Sequence, residues 1–361
     1  MFKNKYLIVI FLGGASAAAA QQYPIKAVRV ILPFPPGGGA DAFMRPLAPK
    51  LTELTGQQWV IDNRGGANGN IAAEATAGAA PDGYTLFFAN SSLAINPALY
   101  SKLPFDVMRD FAPITLAAFT PSLLASHPSL PVKTVNDLVA LARKQPGKLS
   151  FASGGAGNTM HLGVELLKSM AKVDMLHVPY KGGGPAIIDV IAGQCDFLIA
   201  NVGPLLGHVR GGKLVPLGVT AKSRVAVLPN VPTIAESGWP GYESVSWYGF
   251  LGPAALPAPI VNKLSESFAR VAKVPEVVAA LRGQDATAWP EYARVAAIEA
   301  GTGRQRFLAS IPARVCRACA TLLELQVVFE FGADGAMVGI EPRPPLAASA
   351  VPGSTPGGAL L

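Results

Sequence analysis

Residues 28–41 decide the fold, and they read VRVILPFPPGGGAD. The β-branched run Val28–Leu32 predicts a buried strand, and the prolines and three glycines after it predict a tight turn. Apolar residues at helical spacing, from Phe43 to Leu51, predict a helix that begins close to Asp41. The stretch therefore predicts a strand, a glycine-rich loop and a helix in immediate succession.

This arrangement is suited to binding an anion. Glycines let successive backbone N–H groups point to one place, and a helix N-terminus adds unpaired donors and a partial positive charge. We predict that Asp41 is the N-cap of the helix, because its short carboxylate can accept from N–H groups one turn further on. A tight turn without a ligand is the alternative. No nucleotide fingerprint is present, since Ala42 and Phe43 stand where a third glycine is needed and no Gly-Lys-Ser/Thr follows.

The first twenty residues have the pattern of a secretory signal peptide. Lys3 and Lys5 precede a short apolar run, and small residues end the segment at Ala20, where we predict cleavage. The apolar run is far below the roughly 20 residues that a membrane-spanning helix needs. We therefore predict an exported, periplasmic protein that is not inserted in the membrane. Cys195 is the one cysteine between residues 21 and 286, so core packing and not disulfides must hold the fold.

The charge of the chain argues against a nucleic-acid partner. The formal net charge is +7 at pH 7, and two of these charges leave with the predicted signal peptide. The remaining Lys and Arg residues are scattered singly, without a basic run or interleaved aromatic residues. A mild positive balance of this kind favours small anionic ligands.

The pattern of strand, glycine turn and helix then repeats. Trp59–Arg64 predicts a second strand, and Thr85–Ala89 predicts a third, buried strand. Strands that alternate with helices predict a parallel sheet with right-handed crossovers. Asn90 and Ser91 follow the third strand, at the end where open α/β sheets place their ligands. These two side chains suit a carboxylate, and a role as helix caps is the alternative.

A second lobe is predicted from residue 123 onward. The strand Leu149–Ser153 leads into another glycine-rich helix entry, residues 153–159, which is the counterpart of the first loop. His161 lies just inside that helix, where a capping or solvated role is the better interpretation than a catalytic base. Tyr180 and Asp196 lie near strand ends and are predicted to help select the ligand.

Seven ordered motifs carry a family resemblance. They are Val30–Asp41, Asp62–Ala67, Pro81–Thr85, Pro146–Leu149, Val178–Gly182, Gly193–Asp196 and Leu228–Glu236. With them the chain resembles the periplasmic solute receptors of tripartite tricarboxylate transporters, also called Bordetella uptake gene receptors. The resemblance covers about residues 23–286.

The resemblance implies an α/β fold of the type II periplasmic-binding-protein class, with two α/β lobes around a cleft joined by two crossing strands. It implies ligand contacts on both sides of the cleft, with no enzymatic activity and no cofactor. The implied partners are a small organic acid and integral membrane permease subunits, and we expect a monomer. The implied ligand-binding residues, with the predicted cap Asp41 among them, are Phe34, Pro36, Gly37, Gly38, Asp41, Asn90, Ser91, Ser153, Gly154, Thr159, Tyr180 and Asp196.

The predicted organisation has five parts. A signal peptide, residues 1–20, precedes the first part of lobe 1, residues 21–122, and lobe 2, residues 123–221. The chain returns to lobe 1 in residues 222–286. A divergent tail, residues 287–361, contains six Arg and no Lys and ends in a Pro/Gly/Ala-rich stretch, so we expect it to be disordered or out of frame. Loss of the family's final helix would leave part of the apolar face of lobe 1 uncovered.

Two other functions remain as alternatives. One is a periplasmic enzyme that processes carboxylates, although the chain has no Gly-x-Ser-x-Gly or His-Glu-x-x-His motif and only four His. The other is a sensor that, when liganded, docks on the ectodomain of a two-component kinase. The sequence does not name the ligand.

Overall fold

The computed structural model describes residues 23–283, 287–288, 305–313, 323–331 and 337–343. In these residues the strands are β1 (Val28–Leu32), β2 (Trp59–Asn63), β3 (Thr85–Asn90), β4 (Phe111–Ser126), β5 (Ser150–Ser153), β6 (Leu176–Pro179), β7 (Phe197–Asn201), β8 (Val215–Val219), β9 (Val245–Pro253), β10 (Thr287–Ala288), β11 (Gln305–Ala313), β12 (Leu323–Phe331) and β13 (Met337–Arg343). The helices are α1 (Gly39–Thr55), α2 (Asn70–Ala77), α3 (Ser91–Leu99), α4 (Val135–Lys144), α5 (Thr159–Ala171), α6 (Gly183–Ile191), α7 (Val202–Arg210), α8 (Ala258–Val271) and α9 (Pro275–Gly283).

Lobe 1 is built on the predicted strand β1. The strand is parallel to β2 and β3 on either side, with Val30 opposite Ile61 and Leu86. β9 lies antiparallel to β3 and to the first half of β4. The apolar side chains of α1, α8 and α9 cover one face of this sheet, and those of α2 and α3 cover the other. Both faces of the central strands are therefore buried, as the continuous apolar run in β1 predicts.

Lobe 2 has its own sheet and core. β5 lies between β6 and β7 and is parallel to both, while β7 and β8 run antiparallel to the second half of β4. One cluster of buried side chains packs α4 and α5 on this sheet, and a second packs α6 and α7 on it. This second α/β unit confirms the predicted two-lobed fold.

The two lobes are joined by crossing strands, of which β4 differs from its prediction. The sequence predicts separate strands at 114–118 and 123–126, but the structure has one strand of 16 residues. Residues 111–121 of β4 pair with β9 in lobe 1, and Ser122–Ser126 pair with β7 and β8 in lobe 2. The strand continues through Pro121, because the strands that pair with β4 change there from β9 in lobe 1 to β7 and β8 in lobe 2. β9 runs antiparallel beside the first half of β4.

The chain returns to lobe 1 later than the sequence analysis expects. Val225 and Val231 pack in one core cluster of lobe 2, and Ile234 and Tyr242 pack in the other. Apolar burial therefore holds residues 222–244 on lobe 2. We propose that the return begins at Val245, where β9 starts, and not at residue 222.

The tail contains strands where the sequence analysis expects disorder. β11, β12 and β13 form a three-stranded antiparallel sheet in that order. Residues 323–331 read LELQVVFEF, a partial period-two alternation that favours a strand and that the expectation of disorder overlooked. The structure differs from the expectation of disorder in these three segments, and the out-of-frame alternative stays a prediction. The predicted signal peptide lies outside the described residues.

Lobe 1 carries a groove of about 180 Å³ between α1, β4 and α8. Phe43, Leu47, Phe250, Phe268 and Leu281 contribute apolar side chains to its lining. These five side chains are all buried, so the expectation that part of the apolar face of lobe 1 is uncovered stays a prediction. Within the described residues no helix is long and apolar enough to cross a membrane.

Candidate functional site

A small chamber lies between the two lobes, with a volume of about 40 Å³. This is room for roughly three water molecules. Both lobes supply its walls, and the lining residues are Phe34, Pro35, Gly38, Gly39, Ala40, Asp41, Asn90, Asn158, Thr159, Met160, Gly183, Asn201, Ser246 and Tyr248. Neither Lys nor Arg is among these residues.

Five helices begin at this chamber. α1 begins at Gly39 and α6 at Gly183, while Asn90, Asn158 and Asn201 immediately precede α3, α5 and α7. Each helix N-terminus carries unpaired N–H donors and about half a positive elementary charge. Since two of the helices belong to lobe 1 and three to lobe 2, the chamber presents positive backbone dipoles from both sides. Such a site favours an anion without a cationic side chain.

The glycine loop before α1 has the predicted form. Gly37 has a φ of +86°, a conformation that side chains disfavour, and Gly38 is the extended N-cap residue of α1. Among the hydrogen bonds of the described residues, none uses the N–H groups of Gly38, Gly39 or Ala40. These donors remain available for a ligand oxygen.

Asp41 is not the N-cap, which corrects the sequence prediction. It is the third residue of α1, and its carboxylate accepts from the N–H of Gly37 at 3.1 Å, outside the helix. Arg45 donates to both carboxylate oxygens, at 2.8 and 3.1 Å. The Asp41 side chain is only 5% exposed, and Arg45 compensates its negative charge. Its hydrogen bond from Gly37 holds the glycine loop in place.

The glycine loops of the two lobes contact each other directly. Gly37 and Gly38 lie against Gly183 and Gly184 across the cleft. A Cβ atom on Gly184 would lie 2.5 Å from the carbonyl oxygen of Pro36, closer than real Cβ atoms approach. The structure is therefore a closed arrangement in which side chains at these positions would hold the lobes apart.

The end of β3 contributes one wall of the chamber. Asn90 lines it and caps α3, accepting from the N–H of Ser92 at 3.2 Å. Ser91 is 3% exposed, and its hydroxyl accepts from the N–H of Trp247 at 3.2 Å. Asn90 therefore lies where the sequence predicts a ligand contact, whereas Ser91 is used to hold β9.

The helix entry of lobe 2 is held by side chains behind it. Asn158 caps α5 by accepting from the N–H of His161 at 3.0 Å, and Thr159 lines the chamber as predicted. Ser153 is fully buried, with its hydroxyl 2.6 Å from Nε2 of His177. Gly154 lies against the backbone of Gly182 and Gly183, where a Cβ would clash. Ser153 and Gly154 therefore shape the wall and do not line the chamber.

The two histidines beside this loop are structural. The rings of His161 and His177 stack 4.0 Å apart, and the ring of Phe151 lies 4.9 Å from that of His177. Burial, and then the proximity of His161 and Lys168, lowers the pKa of His177 to about 4. Nδ1 of His161 accepts from the N–H of Gly157 at 3.0 Å, which favours the capping role over the catalytic one.

The structure does not place Asp196 or Tyr180 at the chamber. Asp196 accepts from the N–H and the hydroxyl of Ser150, at 2.7 and 2.9 Å, at the amino end of β5. Because β5 and β7 are parallel, this is the opposite edge of the sheet from Ser153. The Tyr180 hydroxyl lies 3.5 Å from Sγ of Cys195. Neither residue is among those that line the chamber, and their role in selecting the ligand stays a prediction.

Sequence reasoning missed several chamber residues. Asn201 follows a strand end just as Asn90 does, so the same signal was present there. Tyr248 and Ser246 lie on β9, which the sequence analysis did not predict. Asn158, Met160 and Gly183 stand in helix entries that were recognised only as glycine-rich. In the described residues, no group of three or more His, Cys, Asp or Glu side chains is placed to hold a metal ion.

Two α/β lobes that close on a chamber at their hinge define a periplasmic binding protein. The sequence model described as "Tripartite tricarboxylate transporter family receptor" matches residues 43–297, and the chain belongs to that family. The match reaches beyond residue 286, where the sequence analysis ends the resemblance. The chain is accordingly a periplasmic solute receptor of that family.

Relatives in other bacteria support the same membership. A UPF0065 protein from the tcbD–tcbE intergenic region of Pseudomonas sp. (strain P51) is 39% identical over 261 residues, 72% of this chain and 78% of that protein. BugT of Bordetella pertussis is 35% identical over 288 residues, 78% of this chain and 88% of BugT.

Two solved structures are similar to the whole two-lobed part. A protein of R. palustris, solved with adipate, is 37% identical with a TM-score of 0.71, and the match covers 73% of this chain and 89% of that one. MatC from Rhodopseudomonas palustris, solved with bound malate, is 32% identical with a TM-score of 0.70, and the match covers 73% of this chain and 90% of that one.

Proposed function

We propose that this receptor binds a small organic carboxylate in the chamber and delivers it to a tripartite tricarboxylate-type membrane permease. The observation that carries the proposal is the convergence of five helix N-termini, from both lobes, on the one chamber. Adipate and malate in two similar structures support carboxylates as the ligand class. The proposed contacts are the N–H groups of Gly38–Ala40 on lobe 1 and the entries to α5 and α6 on lobe 2.

Closure of the lobes is the proposed mechanism. Residues of both lobes line the chamber, whose volume is about 40 Å³, and we expect the lobes to separate to admit a ligand. A ligand that contacts both lobes binds the closed state better, and this difference in affinity shifts the equilibrium toward closure. Backbone donors on helix ends are already ordered, so little entropy is lost in aligning them. The permease then recognises the closed outer surface.

Binding, and not catalysis, is the proposed activity. Nδ1 of His161 accepts a hydrogen bond from the N–H of Gly157, and Nε2 of His177 contacts the buried hydroxyl of Ser153. Neither histidine is among the chamber residues. The alternative is a sensory role, in which the liganded protein docks on the ectodomain of a kinase after the same closure. A pull-down of partner proteins with and without ligand distinguishes this role from transport.

A thermal-shift screen against a panel of di- and tricarboxylates tests the proposal. A ligand at 100 times its Kd contributes about 2.7 kcal/mol to the folded state, or roughly 5–10 °C in Tm for a protein of this size. Gly37→Val, which places a branched side chain at a φ of +86°, is expected to abolish the shift. Asp196→Ala, at the far edge of the sheet, is expected to retain it. A cooperative melt that no acid in the panel shifts would refute carboxylate binding.

A further inference from the structure

A chain of hydrogen bonds links the two lobes at the back of the chamber. The Tyr248 hydroxyl donates to Oδ1 of Asn201 at 3.1 Å, and Nδ2 of Asn201 donates to the Thr120 hydroxyl at 2.7 Å. Tyr248 belongs to the core of lobe 1, Asn201 ends β7 of lobe 2, and Thr120 lies on the crossing strand β4. Tyr248 and Asn201 therefore contact each other from different lobes.

The position of the Tyr248 hydroxyl is fixed by lobe 1. Its ring stacks on Phe88, with centroids 5.2 Å apart and planes 9° from parallel, and on Phe43 at 5.9 Å. The side chain is 3% exposed. The Tyr248 hydroxyl is therefore a fixed point on lobe 1 for the contact with Asn201 of lobe 2.

Asn201 gives up a local role to make this contact. It stands at the N-cap position of α7, where Asn is among the preferred residues, yet its side chain makes no capping hydrogen bond. Its amide oxygen accepts from Tyr248 instead. The side chain therefore serves the contact between lobes and not the helix that follows it.

The same contact lies against the glycine loop. A Cβ atom on Gly39 would clash with both Oδ1 of Asn201 and the Tyr248 hydroxyl. Gly39 is the first residue of α1, so the interlobe pair packs directly on the helix end that is proposed to hold the ligand. The proposed ligand position at the N-terminus of α1 is therefore adjacent to the hydrogen bond between Tyr248 and Asn201.

We propose that Tyr248 and Asn201 are positioning residues whose hydrogen bond stabilises the closed state and thereby sets the affinity for the ligand. This deepens the proposed function and rests on it where ligand affinity is concerned. The pair acts on the equilibrium between open and closed lobes, because separation of the lobes breaks the bond. Loss of either partner is expected to weaken ligand binding through that equilibrium.

A double-mutant cycle on the full mature chain tests the proposal. Tyr248→Phe, Asn201→Ala and the double variant are titrated calorimetrically with malate and with adipate. Each single variant is expected to raise Kd about 3- to 10-fold, in line with one net hydrogen bond, and the double variant to raise it no further. Tyr242→Phe is the matched control. It removes a buried tyrosine hydroxyl that donates to Gly163 at 2.9 Å within lobe 2, and Kd is expected to stay within about twofold.

Hydrogen–deuterium exchange without ligand gives a second, independent readout. Peptides that cover residues 36–42 and 182–185 are expected to exchange faster in Tyr248→Phe and Asn201→Ala than in the wild type, and unchanged in Tyr242→Phe. Exchange rates that are unchanged in both Tyr248→Phe and Asn201→Ala would overturn the proposal. So would a double variant whose effect on Kd is the sum of the two single effects. If the wild type binds neither acid, carboxylate binding by these acids fails, and the exchange rates alone decide the role of the interlobe pair.

Discussion

Gly184→Ala is expected to hold the cleft open. The added methyl group would lie 2.5 Å from the carbonyl oxygen of Pro36 in the closed state. An ordinary contact of at least about 3.4 Å requires the loops to separate by roughly 0.9 Å or more. Insertion of a methyl group into a packed contact typically costs about 1–3 kcal/mol. Because this cost falls on the closed state only, we expect Kd for a bound carboxylate to rise about 5- to 150-fold.

The assay is isothermal titration calorimetry, with Gly207→Ala as the matched control. Both glycines lie in helices of lobe 2, but a Cβ on Gly207 meets nothing within 4 Å. Replacing a helical glycine by alanine is itself favourable by up to about 1 kcal/mol, so neither variant is expected to lower the unfolding midpoint of the free protein. A Kd for Gly184→Ala within twofold of Gly207→Ala would refute the reasoning that closure depends on this glycine contact.

Three further predictions concern other parts of the chain. The stability of the free protein is expected to be full above pH 6.5 and to fall by about 1–2 kcal/mol between pH 6.5 and 4, because the unfolded chain protonates His177 there while burial lowers its folded pKa to about 4. Urea unfolding at each pH checks this, and His177→Gln should make the profile shallower; an unchanged profile in that variant would contradict the role given to His177. Asp41→Asn is expected to lower the free energy of unfolding by about 1–3 kcal/mol, because it weakens the two hydrogen bonds from Arg45 and the one from Gly37. Glu53→Gln, in an exposed pair with Lys50, should lower it by less than about 0.5 kcal/mol. Equal losses in the two variants would contradict the role given to Asp41. Removal of residues 301–361 is expected to leave Kd within about twofold, because the chamber residues all lie between residues 34 and 248; a larger change would place part of the site in the tail.

Much of the fold follows from local sequence signals. β1 has the predicted bounds, and the sequence around α4, with helical spacing after a Thr or Asn cap, predicts a helix that Thr134 in fact caps. These elements carry strong local patterns, namely a β-branched run and a capped amphipathic helix. β9 carries a weaker signal: its nine residues include β-favouring Val and aromatic side chains but also two glycines, and the strand is completed by pairing with both β3 and β4.

The candidate site was predictable where it depends on backbone and less so where it depends on side chains. Gly38, Asn90 and Thr159 line the chamber, because glycine loops and strand ends can be located from spacing. Asp196 stands beside a strand as well, but it precedes β7 and so lies at the amino end of that strand, whereas ligands bind at the carboxyl ends. Asn201 and Tyr248 meet only after the lobes are joined, so no local pattern pairs them.

A backbone amide NMR titration of the wild-type protein, with a carboxylate from the thermal-shift panel, tests directly whether the converging helix ends hold the ligand. Amide signals of Gly38–Ala40 on lobe 1 and of Thr159, Gly183 and Gly184 on lobe 2 are expected to shift together, with one common Kd. Shifts confined to one lobe, or saturable binding that leaves all these amides unmoved, would contradict a carboxylate held between the converging helix ends.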